Sequence, residues 1–353
     1  MREFDGAIAV AAPARSGFAA KGGARVRTRV AAPAGIVLTD EDFSCGVEWP
    51  TIALCLTIYG GWLMLTYWHA ALPAWLVCPG LVWLVAWHGS LQHEVLHGHP
   101  TRSRAVNDAI GFVPLPLWLP YHIYRGSHLR HHDDARLTDP LDDPESRYWL
   151  PEQWHRLNAV ARLLFMAQNT FLGRLLVGPA WVIGRFLYFQ VRALAQGNAG
   201  ARRIWLPHLL GAAAVLAWVW GVCGINPLIY LACVVYPAAS LMLIRSFAEH
   251  RAAEGVRERI AIVENAPVLG LLFLHNNLHL VHHAWPELPW WRIPRVYRRH
   301  RAAMIAANGG LLYNGYADVG RRFWLTPHDK VLHPFGRAPQ PQPPSPAAGM
   351  VAS

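Results

Sequence analysis

The sequence predicts an all-α integral membrane protein of four transmembrane helices, arranged as two hairpins, with interfacial helices and a cytoplasmic di-metal cap. Three observations carry that prediction. Charged residues make up 15% of the 353-residue chain and hydrophobic ones 53%, whereas soluble domains hold about 25% charged residues. Residues 49–93 and 204–244 contain no Asp, Glu, Lys or Arg. Each stretch is too long for one crossing of about 20 residues and fits two. Histidines gather in three spaced clusters next to these stretches.

Residues 1–44 are rich in Ala, Gly and Arg, lack a sustained apolar period and read as a disordered cytoplasmic tail. Their apolar runs are too short for a secretory signal, and Glu3 and Asp5 speak against an organellar transit peptide. The membrane domain covers 45–336. Pro73 supplies the turn of the first uncharged stretch, giving spans near 51–69 and 73–92. The second stretch breaks at Gly224-Ile225-Asn226-Pro227 into spans near 204–222 and 227–245. Neither turn is charged, while Arg102, Arg104, Arg202, Arg203, Arg245 and Arg251 flank the spans. Because cytoplasmic loops accumulate Lys and Arg, both termini and every histidine cluster are expected in the cytoplasm, against a bacterial inner membrane. The same rule accounts for the net charge of +10 without a nucleic-acid partner.

Other apolar stretches are interrupted. Residues 109–124 are uncharged but broken by Pro114, Pro116 and Pro120, which suits a re-entrant or interfacial segment. Residues 156–192 mix apolar runs with Arg156, Arg162, Arg174, Arg185 and Arg192, an interfacial amphipathic pattern. The Trp- and Arg-rich WPELPWWRIPRVYRRHR reads as an interface anchor, and the Pro-rich residues 337–353 as a disordered tail.

The histidine clusters are HEVLH (His93, His97), with His99 close behind; HLRHH (His128, His131, His132); and HLVHH (His279, His282, His283). On a helix, residues three and four apart share a face, so each cluster turns its imidazoles to one side. Histidine is the commonest metal ligand, and eight exceed what one tetrahedral ion needs. The pattern points to two metals. HEVLH also fits the zinc-protease motif, with Glu94 as general base, but that would leave HLRHH and HLVHH without a task. A metal transporter would place its ligands near the bilayer midplane, whereas these lie beyond the span ends. The five cysteines form no CxxC pair and read as small buried hydrophobes.

Set around two membrane hairpins, HxxxH (93–97), HxxHH (128–132) and HxxHH (279–283) together resemble the membrane fatty acid desaturase family. That superfamily also holds acyl hydroxylases, carotenoid ketolases and alkane hydroxylases. The likeness covers roughly residues 50–300, including HHDDARLTDP after the second cluster and NNLHLVHHAWPELP around the third. It implies two iron ions held by His93, His97, His128, His131, His132, His279, His282 and His283, with O2 as co-substrate and an unactivated C–H bond as target. The family commonly uses a further histidine before the third cluster. His250, in RSFAEHR where the fourth span ends, is preferred over His275 in FLHNN.

Metal-bound histidines often give their other ring N–H to a carboxylate. Glu94, Asp133, Asp134 and Glu249 adjoin expected ligands and are candidates for that supporting role, as are His99 and Asn276. The acidic run DPLDDPE (139–145) reads as a solvated loop. Zinc has no accessible redox chemistry, and a nitrogen-rich, open, paired site suits iron; the choice of iron rests mainly on the resemblance, since ligand geometry alone leaves manganese and zinc open. The chain shows no GxGxxG opening a βαβ unit and no cysteine quartet for an iron–sulfur cluster, so a separate donor of ferredoxin or cytochrome type is expected. The expected function is oxygen-dependent desaturation of a lipid acyl chain. The alternative is hydroxylation or ketolation of an acyl or carotenoid substrate at the same centre, with a membrane-embedded zinc metalloprotease behind both.

Overall fold

Helix α1 (Trp49–Tyr67) starts behind Glu48 and has Pro50 in its first turn, where a missing N–H costs nothing. Pro73 precedes α2 (Ala74–Leu96). The computed structural model describes residues 32–33, 35–43 and 47–336, so the expected tails at 1–31 and 337–353 lie outside the described residues. Within the expected N-terminal tail, the described part is packed: Ile36 joins a cluster with Ile262, Leu280 and Val296, and Asp42 pairs with Arg299 at 3.2 Å.

Two short helices follow, α3 (Arg104–Phe112) and α4 (Tyr121–His131). Residues 151–195 form α5 (Pro151–His155), α6 (Ala159–Gln168), α7 (Phe171–Leu176) and α8 (Gly178–Ala195). Next come α9 (Ala199–Val222) and α10 (Pro227–Glu249). The side chains of Asn198 and Asn226 accept backbone N–H bonds from Ala201 and Leu228 at the two helix starts, as N-caps do. Helices α1, α2, α9 and α10 are long and apolar enough to cross a membrane, and side chains such as Leu56, Leu210 and Leu228 stand exposed on them. Helices α2 and α10 continue past the expected ends at 92 and 245 to Leu96 and Glu249. Leu231–Val235 within α10 is π-helical. Pro237 gives the reason: it lacks an N–H and crowds the carbonyl four residues back, which a wider turn accommodates.

The segment broken by prolines is tied to all four long helices. Tyr59 of α1 donates to the Ile110 carbonyl, and Gln92 of α2 to that of Gly111 at 2.7 Å. His208 of α9 meets the Leu117 carbonyl at 2.9 Å, and Tyr230 of α10 donates to that of Leu115 at 3.0 Å. Prolines 114, 116 and 120 prevent a continuous helix here, so the carbonyls need side-chain donors. His208 therefore has a structural task that its sequence position does not reveal.

After α10 the chain passes through a short 3-10 helix (Arg257–Arg259) into strand β1 (Ile262–Glu264), then through α11 (Pro267–Leu272), α12 (His279–Ala284) and α13 (Ile293–Ala307). Strand β2 (Leu312–Asn314) pairs parallel with β1 and leads into α14 (Gly315–Phe323). The main core gathers side chains of α1, α2 and α10 with Phe273, Tyr313 and Val319. A second core packs Ile260, Ile262, Leu280 and Val281 against Val296 and Met304, and so fixes α12 beneath α13.

Candidate metal centre

Helix ends deliver the histidines. His93 lies in the last turn of α2 and His97 at its C-cap. His128 and His131 occupy the last turn of α4, and His132 caps it. His250 is the residue at which α10 gives way to extended chain. His279, His282 and His283 belong to the six-residue α12. The nine converge in two groups, His93, His97, His128, His132 and His282 in one, His131, His250, His279 and His283 in the other. Within each group, one ring nitrogen per residue lies within 4.8 Å of all the others.

The rings are oriented from behind. Nδ1 of His128 lies 2.8 Å from Glu145 Oε1, Nδ1 of His131 2.8 Å from Asp143 Oδ1, and Nδ1 of His283 2.7 Å from Asp134 Oδ1. His279 Nδ1 meets Asn276 Oδ1 at 2.9 Å, and His250 Nδ1 faces the Arg259 carbonyl at 3.3 Å. All these partners are acceptors, so each Nδ1 donates, and a neutral ring then presents Nε2 as a bare lone pair.

Those lone pairs face each other. Nε2 of His250 lies 3.0 Å from Nε2 of both His131 and His279, and His279 lies 3.1 Å from His283. In the other group, His132 is 3.1 Å from His128 and 3.0 Å from His282. Two acceptors at such distances repel unless a cation lies between them. Metal–nitrogen bonds of about 2.1 Å meeting at a right angle would set two nitrogens about 3.0 Å apart. The donor set fits two metal ions, and the groups adjoin where the His132 and His283 rings stack 4.4 Å apart.

Electrostatics favours neutral imidazoles. Burial, reinforced by neighbouring histidines, holds His132, His250, His279 and His282 well below the usual imidazole range. Burial also outweighs Glu145 at His128 and brings it to about 4. His131 differs: burial opposes its charge, yet Asp143 and Glu145 prevail and push it up to about 10. A neutral ring is the form that binds metal, so an ion at His131 competes with a proton.

The remaining sequence candidates fall in several places. Glu249 Oε1 lies 3.4 Å from His279 Nδ1 and 3.0 Å from Arg245. Asn276 also reaches His93 and Glu249, at 3.4 and 3.3 Å. His99 is buried, but its partners are carboxylates: Glu48 at 2.6 Å and Glu94 at 3.8 Å. His99 lies beyond the end of α2 at Leu96, so helical spacing does not fix where its ring points. Glu94 thus turns to His99. Asp133 is half-buried, and the neighbouring Asp134 meets His283. His275 stacks on Trp290 at 5.9 Å, apart from both groups.

The acidic run 139–145 corrects the sequence reading. It is not a solvated loop: Asp139 and Asp143 are 1% and 4% exposed, and Asp143 and Glu145 anchor His131 and His128. The available signal was the need of each ligand for an acceptor at Nδ1, with acidic residues standing shortly after HLRHH.

The model of the fatty acid desaturase family matches residues 66–316. The chain belongs to this family. It is 25% identical over 224 residues to a zeaxanthin 4-ketolase of Chlamydomonas reinhardtii, a match covering 61% of this chain and 42% of the ketolase. It is also 25% identical over 246 residues to a Delta(12) acyl-lipid conjugase (11E,13E-forming) of Momordica charantia, covering 63% of this chain and 61% of the conjugase. The chain therefore matches less than two thirds of either relative's length. Family membership makes it an oxidoreductase and leaves the particular reaction open between members.

Proposed function

We propose that this protein carries out oxygen-dependent desaturation of a fatty acyl chain at a histidine-held di-iron centre, with electrons from a separate ferredoxin- or cytochrome-type donor. The observation that carries the proposal is the division of nine histidines into groups of five and four, each suited to one ion. Iron bound there would supply the redox chemistry that activates O2 and removes hydrogen from an unactivated C–H bond. His93, His97, His128, His132 and His282 would hold one ion, and His131, His250, His279 and His283 the other. Asp134, Asp143, Glu145 and Asn276 keep the Nδ1 protons in place and so aim Nε2 at the ions.

Apolar space adjoins the centre. A cavity of about 230 Å3 is lined by Trp118, Tyr124, Glu145 and His250. A neighbouring one of about 220 Å3, lined by Val85, Gly89, Ala238 and Met242, lies between α2 and α10. A flexible methylene chain fits such walls and would be held with one carbon towards the histidines. The charge pattern supports an inner-membrane protein with the centre and both termini in the cytoplasm. Ketolation of a carotenoid is the second reading, supported by the likeness to the zeaxanthin 4-ketolase. The zinc-protease reading is weakened by Glu94, whose carboxylate turns to His99.

The test is a mass-spectrometric lipid profile of a bacterial host expressing the chain, beside a His131→Ala control. Acyl species lacking two hydrogens, absent from the control, are expected. Products that gain oxygen instead would move the reaction to hydroxylation or ketolation.

A further inference from the structure

We infer that the cavity beside the histidines selects an amphiphile with an anionic head group, a carboxylate or a phosphate, and that Arg185 binds that head. The inference rests on this cavity being the substrate site of the proposed desaturase. His250 and Glu145 from the metal centre line one part of the cavity, and Trp149, Trp181 and Arg185 another. One continuous space therefore runs from the histidines to this arginine.

The surroundings of Arg185 leave its donors unused. Its guanidinium carbon stands 4.8 Å over the Trp149 ring and 5.0 Å over the Phe189 ring. Aromatic contacts of this kind cover the faces of the group, while its five N–H donors point outward in the plane. Among the described residues, none accepts a hydrogen bond from Arg185 and no carboxylate pairs with it. The other cavity arginines are engaged. Arg147 donates to the Phe247 and His250 carbonyls at 2.8 Å each and pairs with Asp329 at 3.1 Å. Arg174 donates to Gln168, Leu243 and Ser246. Arg185 is held flat by its rings, with its fork free, an arrangement that suits two-point recognition of a carboxylate or phosphate.

The tail of such an amphiphile has a place too. Trp118, Leu119 and Leu243 line both cavities, and beyond them the walls become Val85, Ala238 and Met242. A charged end at Arg185 and an apolar end between α2 and α10 favour an anionic amphiphile over a molecule that is neutral throughout, such as a polyene with hydroxylated ends. This arrangement favours the acyl reading over the carotenoid one.

Equilibrium binding to the purified full-length protein, without reductant so that no turnover occurs, tests this. The probes are a long-chain fatty acid, its methyl ester and a monoalkyl phosphate of equal length. At least one anionic probe is expected to bind well above the ester; the tighter of the two identifies the head as carboxylate or phosphate. Arg185→Gln should weaken that probe about 10- to 100-fold, the loss of charge-assisted hydrogen bonds, and leave the ester unchanged. Arg185→Lys should restore only part of it, since charge returns without the planar fork. Equal binding of ester and anions, or an Arg185→Gln protein that binds the anion as before, would overturn the inference. So would equal loss of ester and anion in that variant. A failed lipid profile beside head-selective binding would overturn the reaction and leave this site standing.

Discussion

Asp143→Asn is the substitution from which the geometry extracts most. Asp143 Oδ1 accepts from His131 Nδ1 at 2.8 Å and from the Glu145 N–H at 2.9 Å; Oδ2 accepts from the Thr138 N–H at 2.8 Å. Asparagine is nearly isosteric, but it has one acceptor oxygen instead of two, so its amide N–H2 must face either the imidazole or the Thr138 N–H. The negative charge that supports metal-bound His131 also disappears. Partners of this kind are worth about 10- to 100-fold in metal affinity, or about 1.4 to 2.7 kcal/mol. Only the group of His131, His250, His279 and His283 should suffer. Anaerobic iron titration against a competing chelator should show one of two ions weakened by that factor and the other held as in the parent. Asp142→Asn is the control, because Asp142 pairs with Arg136 at 3.2 Å on the outer side of the same loop. If Asp143→Asn binds both ions within about twofold of the parent, the assigned role of the carboxylate is wrong.

Two further substitutions probe ligation and fold. His250→Ala removes one of four ring nitrogens from its group and should reduce bound iron from two ions to one per chain by elemental analysis, whereas His275→Ala should change nothing. Tyr230→Phe breaks a buried relay in which Trp62 Nε1 donates to Tyr230 and Tyr230 to the Leu115 carbonyl, both at 3.0 Å. With both partners left unpaired, the loss of stability should be about 0.6–2 kcal/mol, measured by unfolding in lipid bicelles; an unchanged unfolding free energy would contradict the tethering of residues 109–124.

The four long helices were legible because a bilayer excludes charge: runs without Asp, Glu, Lys or Arg mark them directly. Their ends were less legible, since α2 continues through Glu94 and α10 through Arg245 and Glu249 once these find buried partners. Helical spacing accounts for each cluster turning its imidazoles to one side, and the structure gathers those eight histidines with His250 in two groups; that they are ligands was implied by the family resemblance. What stayed hidden depends on tertiary return of the chain. Nothing local distinguishes Asp143 and Glu145 from a solvated acidic loop; only the fold of residues 133–148 back onto α4 shows that they orient His131 and His128. His208 was hidden for the same reason, because its partner is a carbonyl distant in sequence.

Metal analysis of the purified protein tests the central claim most directly. Two irons per chain are expected, with His131→Ala and His282→Ala each losing metal, because the two residues belong to different groups. A single zinc ion retained in both variants would contradict the account.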